Sequence, residues 1–190
     1  MHNTIVFWKK ELSLYLNEKR LTHSLHVFET ARELCKHHGL DQNKVELAAL
    51  LHDIAKDLDL MEALVLAQEL GLTISTAQKQ NPALIHAPLG AALLEKKYGL
   101  DDQEILDAIR HHTTGVPDMS PLELLVYVSD YLDPKRKLKN HDLIFETAKN
   151  NLWEAALLVC VSKLEYVLES LKHLDLSSIQ CYNWLLGQQS

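Results

Sequence analysis

The chain has 190 residues, 47% of them hydrophobic, with only 6 glycines and 5 prolines. That composition excludes a disordered or fibrous protein and suits one compact domain. A formal net charge of −7 argues against a general nucleic-acid surface, and no apolar run approaches the roughly 20 residues that span a bilayer. The opening stretch MHNTIVFWKKEL lacks the apolar core and cleavage site of a signal peptide, so a cytoplasmic protein is expected. Cys35, Cys160 and Cys181 are scattered and form no C-x-x-C pair, which argues against a disulfide framework.

Helical periodicity runs through nearly the whole chain, and no alternating strand pattern does. Residues 4–19 place Ile5, Trp8, Leu12, Tyr15 and Leu16 on one stripe. A second helix over 22–38 carries Leu25, Phe28, Ala31 and Cys35 and ends near Gly39; a third over 42–57 carries Val45, Ala48, Leu51 and Ala55. Asp59 with Glu62 forms a capping box for a helix to about Leu70, closed by Gly71. The polar segment 71–85 reads as a loop. Pro88 sits in the first turn of a helix over 88–98, ended by Gly99, and another spans 102–112 up to the turn TTGVPD. Ser120, Pro121 and Glu123 start a helix that stops near Leu132, before Pro134. A long amphipathic helix over 141–172 and a short tail with Trp184 complete an all-α protein, expected to be a single domain over 1–190.

Eleven histidines are the compositional excess. His2, His26, His37, His38, His141 and His173 lie near termini, helix ends or charged stretches and read as ordinary surface or capping residues. His26 is the least secure of these, because it lies close to a full turn past His23. His23, His52, His86, His111 and His112 adjoin apolar helix segments.

In ALLHDIAKDLD, His52 and Asp53 stand side by side on an apolar helix, where both can reach one ion from a single edge. Imidazole and carboxylate together suit a first-row divalent metal. Lys56 is one turn on, placed to neutralise a phosphate bound to that metal. Asp130, in the apolar LLVYVSDYL, needs a cation or strong donors if it is buried. One metal held by Asp53, Asp130, His52 and His23 satisfies all four. The bland alternative, a hydrogen-bonded His–Asp pair in the core, explains His52–Asp53 alone but not three such helices together.

The order His23, His52-Asp53, Asp130 resembles the H…HD…D signature of HD-domain metal-dependent phosphohydrolases. The blocks RLTHSLHVFETA, LLHDIAKDL, LIHAPLGA, AIRHHTTG, Met119 and YVSDYLDPKR, in that order, resemble the YqeK family of bacterial proteins over residues 20–136. Ser129 stands where that family usually has alanine, and Leu132-Asp133 where it has Ile-Glu. His26 and His111 also depart from the usual residues.

The resemblance implies an all-helical HD fold, a metal centre often containing iron (with manganese or cobalt as alternatives), and symmetrical hydrolysis of diadenosine tetraphosphate to two ADP. It implies one metal on His23, His52, Asp53 and Asp130, and a second on His86 and His112 with Asp53 bridging. Catalytic roles then fall to Asp53, Lys56 and Arg136. Phosphate contacts fall to Lys56 and Arg136, with Arg20, His111, Thr113 and Thr114 as further candidates. The partner is a nucleotide, with ADP or GDP as product; separately, the apolar long helix and Trp184 suggest a homodimer. Other readings are a nucleotidase or dNTP-type phosphohydrolase, a nucleotide-binding signalling module without turnover, and a helical interaction protein whose histidines are core residues.

Overall fold

Short polar side chains set most of the helix boundaries in the computed structural model, which describes residues 4–136, 138 and 140–188. Among these residues all regular structure is helical; His2 lies outside them. Thr4 caps α1 (Ile5–Tyr15), Asn17 caps α2 (Glu18–Cys35) and Asp41 caps α3 (Gln42–Leu51), each accepting from a backbone N–H of the first turn. The Asp59–Glu62 capping box opens α4 (Leu60–Glu69) as the sequence predicts.

The first departure lies at α3. The expected helix over 42–57 stops at Leu51, and residues 52–57 form a run of turns with Ile54 N–H bonded to Leu51 O and Lys56 N–H to Asp53 O. His52 and Asp53 therefore sit just beyond a helix end, and turn geometry rather than helical register directs Lys56.

The second departure is the expected loop over 71–85. It contains α5 (Thr76–Gln80), opened by a Ser75–Gln78 capping box, and a 3-10 turn at Pro82–Leu84. After it come α6 (His86–Tyr98), ended by Gly99 at φ 68°, and α7 (Gln103–His111), capped by Asp102. The Ser120–Glu123 capping box opens α8 (Pro121–Tyr131).

The third departure is the long helix expected over 141–172. It is two helices, α9 (His141–Asn150) and α10 (Leu152–Glu169), broken at Asn151 with φ −147° and ψ 101°. The Asn151 carboxamide accepts from Trp153 and Glu154 N–H, so a capping side chain replaces the helical continuity that periodicity suggested. The tail is also helical: α11 (Leu176–Gly187) starts at the Asp175 cap.

These helices form one layer-packed domain around α8. Helix α2 packs on α3 and α8, α7 on α6 and α8, and α10 on α8, α9 and α11. Trp8, Leu12, Leu34, Leu50, Leu51, Leu94, Leu106 and Tyr127 are fully buried between them, each such side chain contributing roughly 1.5–3 kcal/mol of transfer free energy. A smaller cluster of Ala55, Ala63, Ala67, Ile85 and Leu89 seats α4 and α6. Gly90 lets α6 approach the turns after α3, since a Cβ there would lie 3.1 Å from Ile54 Cγ2. Every residue of α8 from Leu122 to Asp130 is buried, which takes the Asp130 carboxylate into the middle of the domain. No helix among the described residues is long and apolar enough to cross a membrane.

Candidate metal centre

The four histidines that meet beside Asp53 share one device. In three of them Nδ1–H donates to the carbonyl three residues back: His52 to Ala49 O at 2.7 Å, His86 to Ala83 O at 2.6 Å and His112 to Ile109 O at 2.7 Å. His23 Nδ1–H donates instead to Asp133 Oδ2 at 2.7 Å. A carbonyl or carboxylate acceptor fixes each Nδ1 as the protonated nitrogen, so in the neutral ring each Nε2 carries its lone pair inward.

Those lone pairs converge. His23 Nε2 and His52 Nε2 are 3.3 Å apart, and His86 Nε2 and His112 Nε2 are 3.1 Å apart. Asp130 Oδ1 lies 3.2 Å from His23 Nε2 and 3.8 Å from His52 Nε2. Asp53 Oδ2 is 3.7 Å from His52 Nε2 and 3.8 Å from His23 Nε2, while Oδ1 is 3.0 Å from His86 Nε2 and 3.4 Å from His112 Nε2. Asp53 thus bridges two histidine pairs, one with each oxygen. Two overlapping groups of ligand atoms, His23–His52–Asp130 and His52–Asp53–His112, each fit within 4.8 Å.

This cluster is electrostatically incomplete without a cation. Asp53 is 2% exposed, and its Oδ1 has no aligned hydrogen-bond donor among the described residues despite the nearby imidazoles. Burial lowers the pKa of His52 to about 4, and burial also lowers those of His86 and His112. Neutral imidazoles are what a metal requires. Burial opposes ionisation of Asp53, but His52, His112 and His86 outweigh it and hold the carboxyl well below its usual range. For Asp130 burial is likewise overcome, chiefly by the Arg136 charge and the His23 contact. Burial works against a charged His23, but the hydrogen bond and charge of Asp130 exceed it and leave that pKa raised. Four imidazole nitrogens and two carboxylates with an orphaned oxygen fit a first-row divalent metal centre.

The centre forms the floor of a cleft of about 680 Å³ lined by Arg20, Lys56, Thr113, Thr114, Arg136 and Lys163, among others. Lys56 Nζ lies 3.0 Å from His86 Nε2 and 3.7 Å from Asp53 Oδ1. Arg136 Nη2–H donates to Asp130 Oδ1 at 3.1 Å, and Arg20 Nη1 stands 3.9 Å from Asp53 Oδ2. Thr113 Oγ1 is 3.1 Å from His112 Nε2 and 3.2 Å from His86 Nε2. His111 points elsewhere. Its Nδ1–H donates to Glu123 Oε1 at 2.7 Å, and the ring faces a neighbouring hollow of about 490 Å³ that shares Thr113 and Thr114 with the cleft.

Three residues of the site escape sequence reasoning. Asp133 accepts from His23 and, at 2.9 Å through Oδ1, from His26, so His26 is not the solvated residue expected. The near-full-turn spacing of His23 and His26 was the available signal. Lys163 comes from α10 and has no local motif; burial pulls its ammonium down to about 8 against the raising effect of Asp130.

Residues 20–135 match the HD domain model. The chain belongs to the HD-domain family, a class of metal-dependent phosphohydrolases. More narrowly, it is similar over most of its length to proteins named symmetrical bis(5'-nucleosyl)-tetraphosphatase. One from Halalkalibacterium halodurans is 36% identical, covering 92% of this chain and 93% of its own. One from Bacillus subtilis is 34% identical, covering 90% and 92%, and one from Staphylococcus aureus is 41% identical over 71% and 69%. The fold also matches the crystal structure of a predicted HD superfamily hydrolase involved in NAD metabolism from Clostridium acetobutylicum. That match has a TM-score of 0.92 at 32% identity, over 98% of both chains.

Proposed function

We propose that this protein hydrolyses bis(5'-nucleosyl) tetraphosphates symmetrically, converting diadenosine tetraphosphate and water to two ADP. The observation that carries this reading is the convergence of four imidazole Nε2 atoms and two carboxylates on the floor of a cation-lined cleft. It is joined by the similarity to full-length relatives of that name. His23, His52, Asp53 and Asp130 would hold one ion, and His86 and His112, sharing Asp53, a second. Iron suits the mixed nitrogen and oxygen donors, with manganese and cobalt as alternatives. Bound there, such a centre supplies Lewis acidity toward a phosphoryl oxygen and a water of lowered pKa.

The chain's own residues do the rest. Lys56 and Arg136 bring cations to the cleft wall beside Asp53 and Asp130, where the inner phosphates of the substrate accumulate negative charge. The Arg136 fork can engage two phosphate oxygens at once. Arg20 adds charge at the edge of the cleft, and the Thr113 and Thr114 hydroxyls offer donors to phosphate oxygens. His111 contributes through the adjacent hollow rather than at the centre. A polyanion thus meets a local positive field in a protein of net charge −7. A cytoplasmic location and a homodimer belong to the same reading, the latter because Leu168, Leu171, Leu176 and Leu186 are exposed near the C-terminal helices.

The test is metal analysis of the purified protein followed by product chromatography with a panel of dinucleoside polyphosphates and mononucleotides. ADP as the sole product of diadenosine tetraphosphate is expected. AMP plus ATP, or cleavage confined to mononucleotides, refutes symmetrical hydrolysis and favours a nucleotidase-type reading. Bound nucleotide without turnover favours a signalling module.

A further inference from the structure

Lys163 lies outside the segment that matches the HD domain, yet its side chain ends among the candidate ligands. From α10, Nζ donates to His112 O at 3.0 Å and to Thr113 O at 3.4 Å. It also stands 3.7 Å from Asp130 Oδ2 and 3.8 Å from the centroid of the Tyr127 ring. Those contacts tie the turn after α7 to helix α8 and helix α10, in addition to the packing of α7 and α10 against α8. The carbonyls it binds lie just past the C-terminal end of α7, at the cap residue His112 and at Thr113, where the helix dipole is negative and backbone acceptors lack helical partners. The same turn aims the His112 ring at Asp53 and the Thr113 hydroxyl at His86.

We propose that Lys163 is a positioning residue for the metal centre. It clamps the His112–Thr113 backbone to α8, so that His112 Nε2 and the Asp130 carboxylate face the same ion pair. This inference rests on the metal-dependent reading above. It goes further by assigning helix α10, which lies beyond the HD-matched segment, a part in assembling the site. Although Lys163 lines the cleft, two of its three donors are taken by the two carbonyls and its charge faces Asp130 and Tyr127, which places its action on the ligands rather than on the substrate.

The experiment compares wild type with Lys163→Met, which keeps the length of the stem and removes charge and donors, and Lys163→Arg, which keeps both. Metal affinity is measured by chelator competition, and kcat and KM on diadenosine tetraphosphate separately. The methionine variant is expected to bind metal about 10–100-fold more weakly, with kcat reduced and KM within about threefold of wild type, the pattern of an interaction not made with the substrate. Arginine is expected to recover most of the affinity. A folded methionine variant with wild-type metal affinity overturns the proposal, as does an arginine variant no better than methionine. If the methionine variant does not fold, Lys163→Gln, which keeps one donor at shorter reach, is read by the same outcomes. Failure of wild type to cleave dinucleoside tetraphosphates would refute the substrate assignment while leaving the metal-affinity comparison intact.

Discussion

Asp133→Asn tests the geometry of the centre with the smallest available change. The native carboxylate accepts from three donors: His23 Nδ1–H on Oδ2 at 2.7 Å, and His26 Nδ1–H at 2.9 Å and Lys135 N–H at 3.0 Å on Oδ1. An amide has one acceptor oxygen. If that oxygen takes the Oδ1 position, two donors are kept and an amide NH₂ faces His23 Nδ1–H. His23 then gains by moving its proton to Nε2, which turns a lone pair into a donor on the side that faces Asp130 and His52. Loss of such an orienting partner typically costs 10–100-fold in metal affinity, about 1.4–2.8 kcal/mol at 1.4 kcal/mol per tenfold. Side-chain volume and helix content hardly change, so the effect separates from unfolding. Chelator-competition titration gives the affinity, with circular dichroism as the control for fold. An affinity within about threefold of wild type in a folded Asp133→Asn protein would show that Asp133 does not set the His23 tautomer.

Ser129 is fully buried and its hydroxyl has no partner among the described residues, so Ser129→Ala is expected to stabilise the fold by about 1 kcal/mol; a lower midpoint in urea unfolding counts against this. Gly115 adopts φ 66°, and a Cβ there would lie 2.5 Å from Cys181 Sγ. Gly115→Ala should therefore destabilise by about 1–3 kcal/mol and loosen the turn behind Thr113 and Thr114, which thermal unfolding and KM together report. Removing metal with a chelator should lower the thermal midpoint, and restoring it at about 100 times Kd should return about 2.7 kcal/mol of stability. A midpoint indifferent to metal would mean that the cluster is satisfied without an ion.

Most of the helices were legible in the sequence, because caps and apolar periodicity are local signals; of the six residues that converge, His23, His52, Asp53 and Asp130 stand out by their placement on apolar helices, and His86 and His112 follow only from the family resemblance. Asp59–Glu62 and Ser120–Glu123 announced their helices, and the structure starts them there. The departures have separate physical origins. Periodicity continues across Asn151 because the apolar faces of α9 and α10 both meet the core, while a single side chain capping two N–H groups breaks the backbone between them. The Ser75–Gln78 capping box was equally local, yet a five-residue helix with Ala77 as its one apolar residue gave no apolar stripe to follow it. Asp133 and Lys163 act only through contacts made by the tertiary fold, across 110 residues to His23 and 51 to His112. No spacing in the chain encodes those distances.

The departure at His52 has a chemical use. Within an α-helix the carbonyl three residues back is turned toward a backbone N–H, and an imidazole cannot take it without disturbing the ladder. At His52 and His112, the capping residues that follow α3 and α7, the ladder is running out and these carbonyls are free to accept Nδ1–H. His86 uses the carbonyl of Ala83 in the 3-10 turn just before α6 in the same way. Three helix boundaries therefore supply both the orphaned acceptor and the tethered histidine from one short local pattern. Ending α3 at Leu51, rather than continuing it to residue 57, is what lets His52 keep its proton on Nδ1 and present Nε2 to Asp53, His23 and Asp130.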